Sequence, residues 1–261
     1  MIAGVLGCRG PTVTPYAEVA PQPAAELPAP RASEPTQIGD FFLTFYFVIG
    51  EDEVGPGKGK SAKKAVRKRA GEQAATAELA ATTTERQVRL YDPRGCKEIS
   101  KVSPEFAFQL TVQGSGKLRD GRLLSVSGRC NCEHSPCFNV TNHPWGTSGL
   151  SHPLQPFRTV AVDPKVVRLG SLLYIPALEG RTMPGRQPWG GYVHDGCVLA
   201  DDTGGHIEGK RLDLFVGRKA YFQGLAHPGS SHAWARHIPV YDGSGMCERK
   251  GRRVGRRIGS I

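Results

Sequence analysis

The sequence predicts a mainly β protein in which short strands close into a small barrel. Three observations carry that reading. Glycine contributes 33 and proline 20 of the 261 residues, with no solenoid-like repeat, a composition of turns rather than of long helices. Strand-length segments recur along the chain and are joined by Gly- and Asp-containing junctions, the pattern of a barrel. Residues 41–49 (FFLTFYFVI) are aromatic or β-branched on both alternating faces, as a buried central strand must be.

Residues 1–37 lack hydrophobic periodicity and are rich in Pro and Ala, the composition of a disordered tether. The domain is expected over 38–248. Within it, 50–150 holds a basic insert and a small subdomain. The insert, 58–69 (KGKSAKKAVRKR), runs into an Ala-rich stretch that lacks large apolar residues, so it reads as an exposed helix or a mobile segment. Residues 87–91 form a candidate strand. In 103–112, Ser103-Pro104 fits a helix N-cap and first turn, whereas the alternation Phe106, Phe108, Leu110, Val112 fits a strand; both readings stand. Asp120-Gly121 marks a hairpin. Residues 172–175, 192–200, 212–216 and 237–241 read as further short strands. The tail 249–261 opens with RKGRRVGRR and reads as basic and disordered.

The net charge of +10 and pI of about 9.4 point to a polyanionic partner. Aromatic residues do not interleave with the basic runs, and no nucleic-acid fold signature is present, so no nucleic acid is expected. A solvated surface, or contact with anionic membrane or wall polymers, is the alternative. No apolar stretch reaches bilayer length.

Seven cysteines are present. Val5-Leu6-Gly7-Cys8 has the form of a bacterial lipoprotein signal end, which makes Cys8 a lipidation candidate; a chance cysteine in a plain N-terminus is the other reading. The remaining Cys96, Cys130, Cys132, Cys137, Cys197 and Cys247 make an even set suited to disulfides in an oxidising compartment. The CNCEHSPC segment (130–137) also invites a zinc reading, but Cys130 and Cys132 are more tightly spaced than paired ligands of structural zinc sites. His194, His232 and His237 read as ordinary polar residues. No metal or other cofactor is expected.

Asp163, Asp202 and Asp213 sit at strand–turn junctions, with Gly204, Gly205 and Gly209 between the last two. Glycines let a chain fold back tightly, which can bring both carboxylates to one cleft; Asp near Gly is equally a turn residue. The segments VDPKVVRLGSLLYIP, ADDTGGHIEGKRLDLFVG and AWARHIPVY, within 158–242, closely resemble the three-aspartate (3D) domain of the lytic murein transglycosylase A-like superfamily. Val112-Gln113-Gly114-Ser115-Gly116 is similar to that family's QGSG motif, and 42–46 falls where members carry an early strand with Thr and Tyr near the cleft. The pattern departs at His206, where a small residue is usual, and at Glu208, where many members have Lys.

The resemblance implies a double-psi β-barrel and an exported, peptidoglycan-cleaving enzyme of the periplasm or outer membrane. Asp213 would be the single acid/base. Asp202 would be the neighbour that raises its pKa, and Asp163 a turn residue at the cleft edge. Thr44, Tyr46, Gln113, Gly204, Gly205 and Arg211 would contact glycan strands. A two-carboxylate glycan hydrolase and a non-catalytic wall-binding barrel remain as alternatives.

Overall fold

The computed structural model describes residues 35–54, 87–226, 232–251 and 253–257. The tether, apart from its last residues, Cys8 and the basic insert lie outside them. The described chain is mainly β, with thirteen strands and two α-helices. In chain order these are β1 (Gln37–Gly50), β2 (Val88–Asp92), β3 (Lys97–Val102), α1 (Pro104–Gln113), β4 (Ser115–Lys117), β5 (Leu123–Gly128), β6 (Cys137–Thr141), β7 (Thr159–Val162), β8 (Leu172–Tyr174), β9 (Cys197–Asp202), β10 (Arg211–Arg218), α2 (Lys219–Gly224), β11 (Ile238–Asp242), β12 (Cys247–Lys250) and β13 (Arg253–Arg256). No helix among the described residues is long and apolar enough to cross a membrane.

The main sheet runs β10-β7-β9-β8-β11-β1-β4-β5-β6, and β10 also pairs with β1. That extra pairing closes the first six strands into a ring, so each of them has neighbours on both sides. β1 is the hinge of the architecture. It pairs antiparallel with β11 over Gln37–Phe41, then in parallel with β10 over Phe42–Val48, and its end runs parallel to β4. The expectation of a buried central strand therefore holds. Phe41 and Leu43 face the main core with Val160, Leu173, Val198, Leu214 and Val240. Past an irregularity between Tyr46 and Val48, Ile49 enters a second core with Leu90, Phe106, Leu110, Leu124 and Phe138.

The ambiguous 103–112 segment is a helix. Ser103 Oγ accepts the Phe106 N–H at 3.2 Å, and Gly114 ends the helix. Phe106 and Leu110, one turn apart, are buried, while Phe108 and Val112 are exposed. The apolar alternation thus splits between two helix faces. The hairpin expected at Asp120-Gly121 joins β4 and β5.

Two expectations are corrected. The strand predicted over 192–200 begins only at Cys197 and continues to Asp202. Gly196 is left-handed at φ 81°, and its N–H is taken by His194 Nδ1 at 2.9 Å instead of by a neighbouring strand. The tail at 249–257 is not disordered: β12 and β13 form a hairpin. A Cys197–Cys247 disulfide ties it to β9, Val254 is buried, and the Arg256 N–H donates to Asp195 Oδ2 at 2.9 Å. Burial and a covalent anchor outweigh the charge of the segment. Residues 258–261 lie outside the described residues.

Candidate active site

The acidic site follows from strand register. Thr44 on β1 is paired with Asp213 on β10, Asp213 with Ala161 on β7, and Ala161 with Asp202 on β9. Residues paired directly across neighbouring strands share a face of the sheet, so these four form one row. Ala161, small, separates the two carboxylates. The row depends on an irregularity in the β7–β9 pairing: Val160 meets Ala200, but Ala161 meets Asp202, so Asp201 is left over. Such a bulge sets two residues against one. It puts Asp202 in the row and takes Asp201 out of it.

The row opens into a polar cleft of about 430 Å3. Asp202, Asp213, Tyr46, Gln113, Gly204 and Gly205 all line it. Thr44 and Arg211 flank Asp213 without lining the cleft, and Asp163 stands outside it. The cleft also takes Ser115 from β4, Asn139 from β6, and Thr147, Ser148 and Gly149 from the segment before β7. Sequence reasoning missed those residues: Thr147, Ser148 and Gly149 lie in an irregular segment without periodicity, Asn139 lies on a short strand that no pattern marks, and only Ser115, inside the QGSG motif, had a signal.

The carboxylates differ in their surroundings. Asp202 is buried and fully engaged: Oδ2 accepts the Tyr46 hydroxyl at 2.6 Å, and Oδ1 accepts the N–H groups of Gly149 and Thr203, each at 2.8 Å. Burial raises its pKa above the ordinary aspartate value, although those three donors pull the other way. A Cβ at Gly149 would lie 2.9 Å from Thr203 Oγ1, so a larger residue there would make the Thr203 side chain move. Asp213 Oδ1, in contrast, is buried without a hydrogen-bond partner among the described residues. Burial pushes its pKa up to about 6; the neighbouring Thr44 hydroxyl and Arg211 guanidinium act downward, and the Asp202 charge acts upward. Thr44 Oγ1 itself donates to the Leu212 carbonyl at 3.2 Å.

Asp163 is a different group. Its oxygens accept the Gly209 N–H at 2.8 Å and the Lys165 N–H at 2.9 Å, and these bonds hold its pKa below the ordinary value. It pins the glycine loop that joins β9 to β10. Gln113 Oε1 accepts the Phe47 N–H at 2.8 Å, at the irregularity in β1, so the motif glutamine fixes the strand beside Tyr46. His206 and Glu208, the two departures from the family pattern, are exposed and do not line the cleft.

All six candidate cysteines are paired, as Cys96–Cys132, Cys130–Cys137 and Cys197–Cys247. Cys130, Cys132 and Cys137 lie close enough to suggest a metal cluster, but each is committed to a disulfide.

Residues 158–226 match the family model described as the 3D domain, a span that contains Asp163, Asp202 and Asp213. No curated protein matches the chain. Among solved structures, the chain is similar to Escherichia coli MltA with bound chitohexaose, at 16% identity over 78% of this chain and 71% of that one, with a TM-score of 0.41. It is also similar to the lytic transglycosylase LtgG of Burkholderia pseudomallei, at 20% identity over 78% and 73% of the two chains and a TM-score of 0.35. A membrane-bound lytic murein transglycosylase from Agrobacterium tumefaciens is similar at 16% identity over 63% and 54%, with a TM-score of 0.36.

Proposed function

We propose that this 3D-domain protein is a peptidoglycan lytic transglycosylase that cleaves the MurNAc–GlcNAc β-1,4 bond with a single aspartate, Asp213, as acid and base. The observation that carries the reading is the contrast between the two cleft carboxylates. Asp213 has a buried, unpartnered oxygen and a pKa raised to about 6, so an appreciable fraction is protonated near neutral pH. A general acid works best with its pKa near the operating pH. It would protonate the glycosidic oxygen as the sugar develops oxocarbenium character. The resulting carboxylate would then take the proton of the sugar's C6 hydroxyl as that oxygen closes on the anomeric carbon. The product is a 1,6-anhydro sugar, with no water consumed.

A two-carboxylate hydrolase needs a second carboxylate free to activate water or attack the sugar. Asp202 accepts three hydrogen bonds through its two oxygens, which favours an electrostatic role for it and the one-acid chemistry. Thr44, Tyr46, Gln113, Gly204, Gly205 and Arg211 belong to this reading as residues that shape or contact the glycan site, and Asp163 as the anchor of its loop. The closed ring of six strands is read as a double-psi barrel, and three disulfides suit an exported location in the periplasm or at the outer membrane.

The test is digestion of purified sacculi with the wild-type protein and with Asp213→Asn, followed by mass spectrometry of the soluble products. Anhydro-muropeptides from the wild type, and their loss by at least about a thousandfold in the variant, are expected. Reducing-end products would indicate a hydrolase. Intact sacculi that retain the wild-type protein would indicate a binding module.

A further inference from the structure

Asp201 is the residue that the β9 bulge removes from the acidic row, and it is more deeply buried than Asp202. Its carboxylate oxygens lie 2.8 and 3.1 Å from His152 Nδ1. The His152 side chain is half exposed, whereas that of Asp201 is almost wholly covered. A buried carboxylate without a partner is strongly unfavourable, so this contact is a fixed point rather than a chance surface pair.

His152 also closes a compact loop. The Ser148 N–H donates to the His152 carbonyl at 2.8 Å, the Ser151 N–H donates to the Ser148 carbonyl at 2.8 Å, and Thr147 bridges to Pro153. The same loop presents the Gly149 N–H to Asp202 Oδ1. One loop is therefore fastened to two consecutive aspartates of β9: by the imidazole to Asp201 and by a backbone N–H to Asp202. Ser148, Gly149 and Ser151 form part of the cleft wall.

We propose that His152 is a positioning residue for the acid Asp213, acting through Asp201 to hold the β9 bulge and through the 147–153 loop to keep the Gly149 N–H on Asp202. The inference rests on the acid role proposed above for Asp213. Without the imidazole, the loop loses its hold on Asp201. The Gly149 donor then leaves Asp202, which becomes easier to protonate. The charged groups that act on Asp213 are Arg211 on its own strand and Asp202 across β7; those on Asp202 are Tyr46, Asp201 and the N–H groups of Gly149 and Thr203. A neutral Asp202 no longer raises Asp213, and a loosened loop admits water, so both consequences lower the Asp213 midpoint.

The test uses the full chain with 13C-carboxyl-labelled aspartate. The Asp213 resonance is identified by its disappearance in Asp213→Asn and is titrated by NMR. In His152→Ala the Asp213 midpoint falls below about 6, and kcat/KM for anhydro-muropeptide release falls on the order of 10- to 100-fold. His152→Asn, which keeps an N–H donor near Asp201, retains both values. His152→Phe, which keeps the ring without the donor, behaves like His152→Ala and serves if the alanine variant does not fold. An unchanged Asp213 midpoint in a folded His152→Ala or His152→Phe overturns the proposal. Failure of the wild type to cleave sacculi overturns the transglycosylase reading instead, and leaves the NMR midpoint to decide the positioning role.

Discussion

On the proposed function, Asp213 would couple chemistry to stability in a direction that can be measured. Its pKa is raised from 3.8 to about 6 in the fold. A carboxyl with a raised folded-state pKa favours the fold fully at pH below the unfolded value, and that contribution is lost as pH rises through the folded value. Ionised Asp213 thus opposes folding above about pH 6, by up to roughly 3 kcal/mol on the linkage relation. Asp213→Asn is expected to abolish cleavage yet raise the denaturation midpoint at pH 8, with the gain vanishing near pH 4. Urea unfolding at the two pH values checks this; a variant less stable than wild type at pH 8 would count against a desolvated carboxyl. For the same reason the wild-type cleavage rate should decline as pH rises through about 6. Tyr46→Phe removes the 2.6 Å hydroxyl donor of Asp202. A hydrogen bond to a charged group is worth roughly 1.5–3 kcal/mol, so kcat/KM should fall about 10- to 100-fold, with the circular dichroism spectrum unchanged. That Asp202 and Asp213 reach one cleft was legible in the sequence because a motif brackets them. The bulge that selects Asp202 over Asp201 was not, since Ala-Asp-Asp reads the same with or without it.

Elements were legible where one force dominates. Residues 41–49 and 212–216 are apolar enough that only a buried strand suits them, and both are strands of the ring. Helix α1 was ambiguous because Phe106, Phe108, Leu110 and Val112 satisfy both periodicities; the Ser103 cap and the one-turn spacing of buried Phe106 and Leu110 decide it. The β12–β13 hairpin was misread because its cations dominate the composition, while its order comes from Cys247 and Val254. That account makes the Cys197–Cys247 bond the structural support of the hairpin. The bond closes a separation of 50 residues, and Cys197 begins the strand that ends in Asp202. The Cys197→Ser/Cys247→Ser double variant should lose roughly 2–4 kcal/mol of stability, with faster amide hydrogen exchange along β12 and β13. Unchanged exchange there would show that the hairpin is held by packing alone.

At the scale of the whole molecule, the closed ring brings β1, from the start of the domain, beside the acidic row. The β10–β7 and β7–β9 pairings align Asp213 with Asp202, the β1–β10 pairing adds Thr44 to the row, and the cleft forms where that row opens toward β4, β6 and the loop before β7. The ring also carries a buried neutral histidine. His194 donates from Nε2 to the Phe157 carbonyl at 2.7 Å, and burial lowers its pKa from 6.5 to about 4. A depressed folded-state value contributes stability that is present above the unfolded pKa and is lost as pH falls through the folded one. His194 therefore weakens the fold progressively as pH falls from about 6.5 to about 4, and Asp213 does so as pH rises from 3.8 to about 6. The most direct test of the central claim, cleavage by one acid without water, is digestion of sacculi in water enriched in oxygen-18. The account predicts 1,6-anhydro products that carry no label. Labelled reducing ends would contradict it, because they require water, not the sugar's own hydroxyl, to attack the anomeric carbon.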